Sequence, residues 1–356
     1  MLSKKQWLLL FFIAGVLLVT FHAYYYYLFV ADDSFISFRY VDRFLEGKGL
    51  TWTDGRPVEG YSNLLWVLVL AALKKITNGE LWVIALGVNY LCSIASLWVL
   101  LKIVARLTGY NRTALGWSMV LFALSDPVAI WINGGLEAPL IMVFLILTIN
   151  CIKIPAEATG ARSSAYTGFN GPGALLMAGI FSGLVALTRP DGILFAWAIS
   201  LALLVFEYLR TGDSTASWYA RWLAAIRRLF LPLFLFNAIV ALFYIGQLIF
   251  RLRYYGEWVP NTALVKIGFT VHRMTGGLLY AVRMLAAFAP FLLLLLVLLR
   301  RKTANRAILA FFLTIIAVVS LYLVLIGGDI FPGYRHVLPL IPLLCAAAGI
   351  AMMDMR

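Results

Sequence analysis

The sequence predicts an all-α protein, a polytopic bundle of about ten transmembrane helices, and three observations support this fold class. Hydrophobic residues make up 63% of the 356 residues and charged residues only 13%. Mean hydropathy is +0.92, which is typical of chains with repeated spans of roughly 20 apolar residues. Basic residues concentrate in alternate segments between the apolar runs. No internal repeat is visible, so residues 1–356 are predicted to form a single membrane domain.

The first predicted span begins the chain. Lys4 and Lys5 precede a run from Trp7 to Val30 that is longer than a signal-peptide h-region and has no small-residue cleavage site. We therefore interpret it as an uncleaved span with its N-terminus in the cytoplasm. The ten predicted spans are 7–30, 81–103, 114–133, 136–152, 173–188, 191–209, 229–250, 276–299, 306–326 and 337–353.

One apolar run, Leu64–Leu73, is too short to be a span. At about 1.5 Å per residue it reaches about 15 Å, half of a hydrocarbon core of roughly 30 Å. If it did span, the basic clusters at 221–228 and 300–306 would face outward, against the positive-inside rule. We therefore expect it to be a helix on the outer surface, within a first outer loop of residues 31–80.

The net charge of +13 is not an indication of nucleic-acid binding, because basic residues of membrane proteins collect in cytoplasmic loops. Cys92, Cys151 and Cys345 lie in or at the ends of apolar segments, without disulfide or zinc spacing. Membrane lipid is therefore the expected surrounding, and no nucleic-acid partner is expected.

The ten-span topology brings the unusual polar motifs of the chain to its outer face. Charged groups at a membrane are costly to desolvate, so their clustering indicates chemistry or ion binding more than packing. The first outer loop is the richest in acids, with six carboxylates between residues 32 and 63. The candidate site residues on this face are Asp32, Asp33, Arg39, Glu59, Glu137, Arg189, Asp191, Asn261, Lys266, Asp329, Arg335 and His336.

Asp32 and Asp33 follow directly on the first predicted span. Adjacent carboxylates at a membrane surface repel each other, which favours proton uptake by one of them, and such a group can act as a general base. The alternative is that they cap a helix predicted over Phe35–Glu46, a position that suits aspartate. Both interpretations stay open at this point.

Arg189 precedes Pro190, a residue suited to the first position of a helix. The N-terminus of a helix offers unpaired N–H groups and a positive dipole, so Arg189 could hold a phosphate there. The alternative is an interfacial arginine that extends its charge to the membrane surface. Lys266 and Arg335 could add contacts to the same anion.

Glu137 and Asp329 each come after a Gly-Gly pair at a predicted membrane edge. Such acids can cap a turn, pair with arginine or bind a divalent cation. A divalent cation is the one cofactor that the sequence suggests, without identifying its ligands.

Six motifs along the chain carry a family resemblance: DDSFISFRY at 32–40, VEGYSNLLW at 58–66, GGLEAPL at 134–140, TRPDG at 188–192, YYGEWVPNT at 254–262 and GGDIFPGYR at 327–335. This ordered set resembles the GT-C superfamily of membrane glycosyltransferases, in the branch that contains mycobacterial terminal arabinofuranosyltransferases. The first loop of that family has two surface-lying helices, which would correspond to Phe35–Glu46 and Leu64–Leu73. The chain ends soon after the last predicted span, so we expect it to lack the C-terminal periplasmic domain of that branch.

The resemblance implies a multi-pass glycosyltransferase of the cytoplasmic (inner) membrane, with its active site facing the periplasm. It implies a polyprenyl-phosphate sugar as donor, a glycan or glycolipid as acceptor, and a pentofuranose such as arabinose among the sugars. A catalytic carboxylate is implied at Asp32 or Asp33, and a carrier-phosphate site at basic groups such as Arg189, Lys266 and Arg335. The alternatives are a transporter or flippase of lipid-linked sugars, and a scaffold that only binds polyprenyl phosphate.

Overall fold

The computed structural model describes residues 2–154, 168–210, 217–261, 271–287, 306–329, 331 and 333–353. This part of the chain is helical, and its only strand-like contact is an isolated bridge between Ile152 and Phe169. The predicted all-α class is therefore confirmed. The helices are α1 (Lys4–Tyr25), α2 (Asp32–Leu45), α3 (Leu64–Thr77), α4 (Leu81–Thr108), α5 (Arg112–Ala123), α6 (Asp126–Asn133), α7 (Ala138–Asn150), α8 (Pro172–Thr188), α9 (Ile193–Arg210), α10 (Trp218–Tyr254), α11 (Val271–Ala287), α12 (Arg306–Leu325) and α13 (Ile341–Met353), with 3-10 turns at Pro190–Gly192 and Arg335–Leu340.

Six helices of the described chain are long and apolar enough to cross a membrane, and the bent pair α5 and α6 would make a seventh. The six are α1, α4, α10, α12, and the segments Pro190–Arg210 and Arg335–Met353. Helices α7 and α8 are apolar but have only 13 and 17 residues. Helix α11 covers the beginning of the span predicted at 276–299, the rest of which lies outside the described residues. The chain is thus a multi-pass membrane protein, and the count of about ten spans stays a prediction.

The span predicted over 114–133 is observed as two helices, α5 and α6, bent by 47°. The cause is Pro127, which has no N–H to donate and whose ring clashes with the carbonyl four residues earlier, at Ala123. That carbonyl lies 3.0 Å from Nδ1 of His22 on α1 instead. The break directs the end of α6 toward the turn Gly134–Glu137, which becomes part of the site.

Helix α13 lies at the centre of the bundle, where nearly all of its residues are buried. Its run of small residues, Ala346–Gly349, lets α5 approach closely, as small residues do between membrane helices. A Cβ added at Gly349 would lie 2.0 Å from the Ser118 Oγ of α5. The same Ser118 hydroxyl donates to the Cys345 carbonyl at 3.0 Å.

The first outer loop folds as a unit with its own hydrophobic cluster, in which α2 packs on α3. Helix α3 has 14 residues, four more than predicted, yet at about 1.5 Å per residue it remains shorter than a roughly 30 Å bilayer core. Helix α2 begins at Asp32, three residues earlier than predicted, with Ala31 as its N-cap. The end of α10 docks onto this loop, where the Tyr61 and Tyr255 hydroxyls lie 3.1 Å apart.

Candidate functional site

A cleft lies where the start of α7, the turn before α9, the end of α12 and the 3-10 turn before α13 meet. It encloses about 450 Å³ of empty space, including its open mouth. Its floor is apolar, and its polar lining consists of Glu137, Arg189, Asp191, Tyr322, Arg335 and His336. Five of these six were predicted as site residues, so segments that are far apart in sequence converge here as expected.

Arg189 contacts two carboxylates of the cleft. Its Nε and Nη2 each donate to the Asp191 carboxylate at 2.9 Å, and its Nη1 lies 3.4 Å from Glu137 Oε1. Tyr322 of α12 donates to the same Asp191 carboxylate at 3.0 Å. Burial alone lowers the pKa of Arg189, but Asp191 and Glu137 outweigh burial and raise it. The guanidinium therefore keeps its charge inside the cleft.

Glu137 connects the cleft to the first outer loop. Its Oε2 accepts from Asn63 Nδ2 at 2.8 Å, and Asn63 in turn exchanges hydrogen bonds with Ser37 of α2 at 3.1 and 3.2 Å. Glu137, Asn63 and Ser37 are all buried. A continuous buried hydrogen-bond chain thus runs from Arg189 through Glu137 to α2.

The second charged group in the cleft comes from the segment before α13. Arg335 donates through Nε and Nη2 to Asp329 at 3.2 Å each, and His336 Nε2 lies 3.6 Å from the same carboxylate. The Arg335 guanidinium also stacks over the rings of Phe331 and Trp131, at 4.7 and 5.7 Å from the ring centroids. Aromatic faces attract guanidinium groups at this distance, so Arg335 is fixed in orientation.

Asp32 and Asp33 lie in the first turn of α2, where their charge complements the helix dipole. The Asp32 side chain accepts from the Asp33 N–H at 2.9 Å but bonds no N–H further along, so the capping interpretation in its predicted form is wrong. Asp32 is exposed and Asp33 is partly buried. Asp33 shares a helix face with Ser37, four residues on, which belongs to the chain leading to Glu137.

The start of α2 also packs on the turn before α7. The Ala31 N–H donates to the Gly134 carbonyl at 3.1 Å, and a Cβ on Gly135 would lie 2.9 Å from Cβ of Ser34. Gly135 has φ of +75°, a conformation that glycine adopts without strain. The acid pair and Glu137 are therefore held on neighbouring backbone segments at the same end of the bundle.

The arginines of the cleft are matched by carboxylates. Arg189 pairs with Asp191 and Glu137, and Arg335 pairs with Asp329. A guanidinium has five N–H donors, and these bonds occupy three donors of Arg189 and two of Arg335. Counting bonds among the described residues, donors remain on both arginines for a bound anion. Within the described chain, no group of three or more His, Cys, Asp or Glu side chains is arranged to hold a metal ion.

The remaining predicted residues lie outside this cleft or outside the described chain. Glu59 is buried in an ion pair with Arg251, and its carbonyl accepts from the Asn261 N–H at 3.0 Å. This pair joins the first loop to the segment after α10. Arg39 is exposed on the side of α2 that carries Asp32. Lys266 lies outside the described residues.

Sequence reasoning did not select Asn63, Tyr322 or Trp131. Asn63 lies within the VEGYSNLLW motif, so its motif was the available signal. Tyr322 lies inside a predicted span, where a tyrosine is usually interpreted as a packing residue or as part of the aromatic belt at the membrane interface. Trp131 has the same difficulty, since only the bend between α5 and α6 brings it to Arg335.

Comparison with known proteins agrees with this architecture, although no family model matches the chain. The terminal beta-(1->2)-arabinofuranosyltransferase of Mycobacterium tuberculosis is 26% identical over 243 residues, which cover 67% of this chain and 35% of that protein. The crystal structure of ArnT from Cupriavidus metallidurans bound to undecaprenyl phosphate superposes with a TM-score of 0.67 at 15% identity, covering 99% of this chain and 61% of ArnT. The oligosaccharyltransferase AglB from Archaeoglobus fulgidus, in complex with an inhibitory peptide and a dolichol-phosphate, gives a TM-score of 0.51 at 12% identity, covering 98% of this chain and 50% of AglB.

The chain thus shares the membrane fold of ArnT and AglB, and the predicted resemblance to membrane glycosyltransferases of the GT-C superfamily is confirmed as a resemblance. The chain spans about a third of the curated relative and about three fifths of ArnT.

Proposed function

We propose that this protein is a membrane glycosyltransferase that moves a sugar from a polyprenyl-phosphate donor to a glycan or glycolipid acceptor. The main support is the convergence of three predicted motifs, GGLEAPL, TRPDG and GGDIFPGYR, on one charged cleft, which buried hydrogen bonds link to the helix that begins with Asp32 and Asp33. Its fold is shared with ArnT, whose structure holds undecaprenyl phosphate, and with AglB, whose structure holds a dolichol-phosphate.

In this proposal the polyprenyl tail lies in the bilayer, and the phosphate is bound at the cleft by Arg189, Arg335 and Lys266. Within the part of the chain that the structure describes, the two arginines keep N–H donors without a partner while their carboxylate partners hold them in place. A fixed guanidinium loses little side-chain freedom on binding, and its planar fork matches phosphate oxygens. The carboxylates of the cleft would accept hydrogen bonds from sugar hydroxyls.

The catalytic base in this proposal is Asp33, with Asp32 as the exposed partner of the pair. Asp33 lies on the α2 face that is linked to Glu137, and Asp32 lies with Phe35 and Arg39 on the exposed face. The acceptor hydroxyl oxygen forms a bond to the anomeric carbon and gives its proton to Asp33. The bond from that carbon to the phosphate oxygen breaks, and the polyprenyl phosphate leaves with the electron pair.

The proposal extends to the class of the donor sugar and the class of the acceptor. The arabinofuranosyltransferase relative suggests a pentofuranose such as arabinose. The proposed acceptor is an envelope glycan or a lipid-linked saccharide, because both are found at the periplasmic surface of the cytoplasmic membrane. A panel of polyprenyl-phosphate pentoses and hexoses offered to the purified protein would identify the donor sugar.

We also propose that the protein lies in the cytoplasmic membrane with the cleft facing the periplasm. The distribution of basic residues supports this orientation, as they are abundant at the ends of α9 and α10 opposite the cleft. A Thr77→Cys variant should react with an impermeant thiol reagent from outside intact cells, and an Arg227→Cys variant should react only after permeabilisation. The reverse pattern would place the cleft inside.

A transfer assay tests the function and the base together. The purified protein with a radiolabelled polyprenyl-phosphate sugar and an envelope-glycan extract should form labelled glycan. Asp33→Asn should lower kcat by at least about 100-fold, because general-base catalysis typically contributes that much, and Asp32→Asn should stay within a few-fold of wild type. Full activity of Asp33→Asn would eliminate the base assignment, and no transfer from any donor by the wild type would eliminate the function.

A further inference from the structure

A second cavity lies at the end of the bundle opposite the cleft. The helices α9 and α12, which pack together, lead from one cavity to the other. Arg210 ends α9, about 27 Å along the helix axis from its start beside Asp191. Arg306 begins α12, about 24 Å from Tyr322. These lengths match the thickness of a hydrocarbon core of roughly 30 Å, so the second cavity opens at the other membrane surface.

Two arginines from different helices line this second cavity, Arg221 of α10 and Arg306 of α12, together with Tyr208, Leu209 and Ala307. The cavity contains about 720 Å³ of empty space, counting its open side. The Arg221 guanidinium stacks 4.2 Å from the centroid of the Tyr208 ring and donates to the Tyr208 carbonyl at 2.8 Å. Its buried Nε has no hydrogen-bond partner among the described residues.

No acidic side chain lines the second cavity within the described chain. The neighbouring carboxylate, Glu207, is fully buried and accepts hydrogen bonds from Arg210 and Arg228. Arg221 and Arg306 have no carboxylate in contact in the part of the chain that the structure describes. The contrast with the cleft is clear, since each cleft arginine has a carboxylate partner. Among the described residues, the second cavity therefore concentrates positive charge without a carboxylate partner.

The position of this charge indicates what neutralises it. Trp218 and Tyr219 begin α10 and are 70% and 63% exposed, as aromatic residues are at the interface between membrane and water. Further along α10, the exposed side chains Phe230 and Phe234 continue toward the bilayer interior. A ligand bound here would have its anionic part at the headgroup level and apolar chains along α10.

We propose that Arg221 and Arg306 form a binding site for the phosphate headgroup of an anionic phospholipid of the leaflet opposite the cleft. Basic pockets between transmembrane helices bind such headgroups. Each lysine or arginine near the membrane surface adds a similar amount to the binding free energy for anionic lipid. The buried Nε of Arg221, which has no acceptor among the described residues, would gain one. The proposed lipid lies in the leaflet opposite the cleft, and its binding does not require the transfer reaction.

The test compares lipid binding by two double variants of equal charge. Arg221→Gln/Arg306→Gln removes both lining arginines. Lys5→Gln/Arg227→Gln removes two exposed charges at the same end of the bundle that do not line the cavity. Native mass spectrometry with phosphatidylglycerol measures retained lipid, phosphatidylcholine serves as the zwitterionic probe, and thermal unfolding in phosphatidylcholine nanodiscs verifies that both variants are folded.

The Arg221→Gln/Arg306→Gln variant should bind phosphatidylglycerol roughly 30-fold more weakly than wild type, from a loss of about fivefold per arginine. The Lys5→Gln/Arg227→Gln variant should bind it nearly as well as wild type. Equal weakening of both double variants would mean a general surface-charge effect and would overturn the site. The site would also be overturned if the wild type retained phosphatidylcholine as well as it retains phosphatidylglycerol. The same conclusion would follow if inorganic phosphate stabilised the wild type and phosphatidylglycerol did not.

Discussion

Glu59 and Arg251 form an ion pair in which each side chain is only 3% exposed, although 192 residues separate them in sequence. Arg251 lies in the last turn of α10, and Glu59 lies in the first outer loop. The pair thus anchors the segment after α10 to the loop that carries α2. Glu59 was predicted as a site residue, and the structure places it in this ion pair outside the cleft.

Breaking this pair should destabilise the protein strongly. Arg251→Leu leaves the Glu59 carboxylate buried without its partner, and we expect a loss of about 3–5 kcal/mol in the free energy of unfolding. The double variant Glu59→Leu/Arg251→Leu should be more stable than Arg251→Leu alone, because it removes the uncompensated charge. Thermal unfolding in nanodiscs measures both. A single variant as stable as wild type would show that the pair is not buried in solution.

Asn63 should affect catalysis more than stability. Its amide links Ser37 of α2 to Glu137, so Asn63→Ala cuts the connection between α2 and the cleft. We expect transfer activity to fall at least about tenfold, since small displacements of catalytic groups are costly. Asn237→Ala serves as the control, because Asn237 bonds only Ser200 and its own helix among the described residues. Equal activity of the two variants would contradict the linkage.

Arg189→Lys should weaken donor binding even though the positive charge is kept. A lysine cannot form the forked contact with Asp191 and still present N–H donors to a phosphate. We expect the Kd for a polyprenyl phosphate, measured by competition with a labelled donor, to rise about tenfold or more. Arg253→Lys, an exposed change near the outer end of α10, should leave it unchanged. An unaltered Kd in Arg189→Lys would remove Arg189 from the phosphate site.

The first loop should lose stability in alkali. Burial, and to a lesser extent the neighbouring Tyr255, raises the pKa of Tyr61 far above its usual value near 10. The unfolded chain therefore releases this proton at lower pH than the folded chain, and stability falls as pH rises above about 10. Tyr61→Phe should show a smaller fall in unfolding temperature between pH 9 and 11. An identical pH dependence of the two proteins would mean that Tyr61 does not contribute.

Close packing of the central helix should make Gly349 intolerant of a side chain. A Cβ there would lie 2.7 Å from the Ala114 backbone carbonyl, which cannot move aside as a flexible side chain can. Gly349→Ala should cost about 1–3 kcal/mol, the usual effect of overpacking. Gly87→Ala in α4 meets no atom within 4 Å and should be neutral or stabilising by up to about 1 kcal/mol. Comparable effects of the two substitutions would contradict the observed packing of α13 on α5.

Much of the fold follows from local composition alone. Apolar runs predict helices because a backbone in lipid must satisfy its own hydrogen bonds, and the observed helices lie where those runs are. The short run at Leu64–Leu73 predicted α3 through its length, and the ordered motifs predicted the resemblance to GT-C enzymes. The same pattern indicated that Glu137, Arg189 and Asp191 would lie on one face of the membrane, since each lies at the outer end of a predicted span.

Only the tertiary structure decided which of these groups face one another. Hydropathy defines where a helix begins and ends, but it does not give the rotation of one helix against another, and hydrogen bonds depend on that rotation. The bend at Pro127 brings Trp131 to Arg335, and the face of α2 distinguishes Asp33 from Asp32. Likewise, the pairing of arginines with carboxylates in the cleft arises from contacts between helices that are distant in sequence, and so does the lack of such pairing at Arg221 and Arg306 among the described residues.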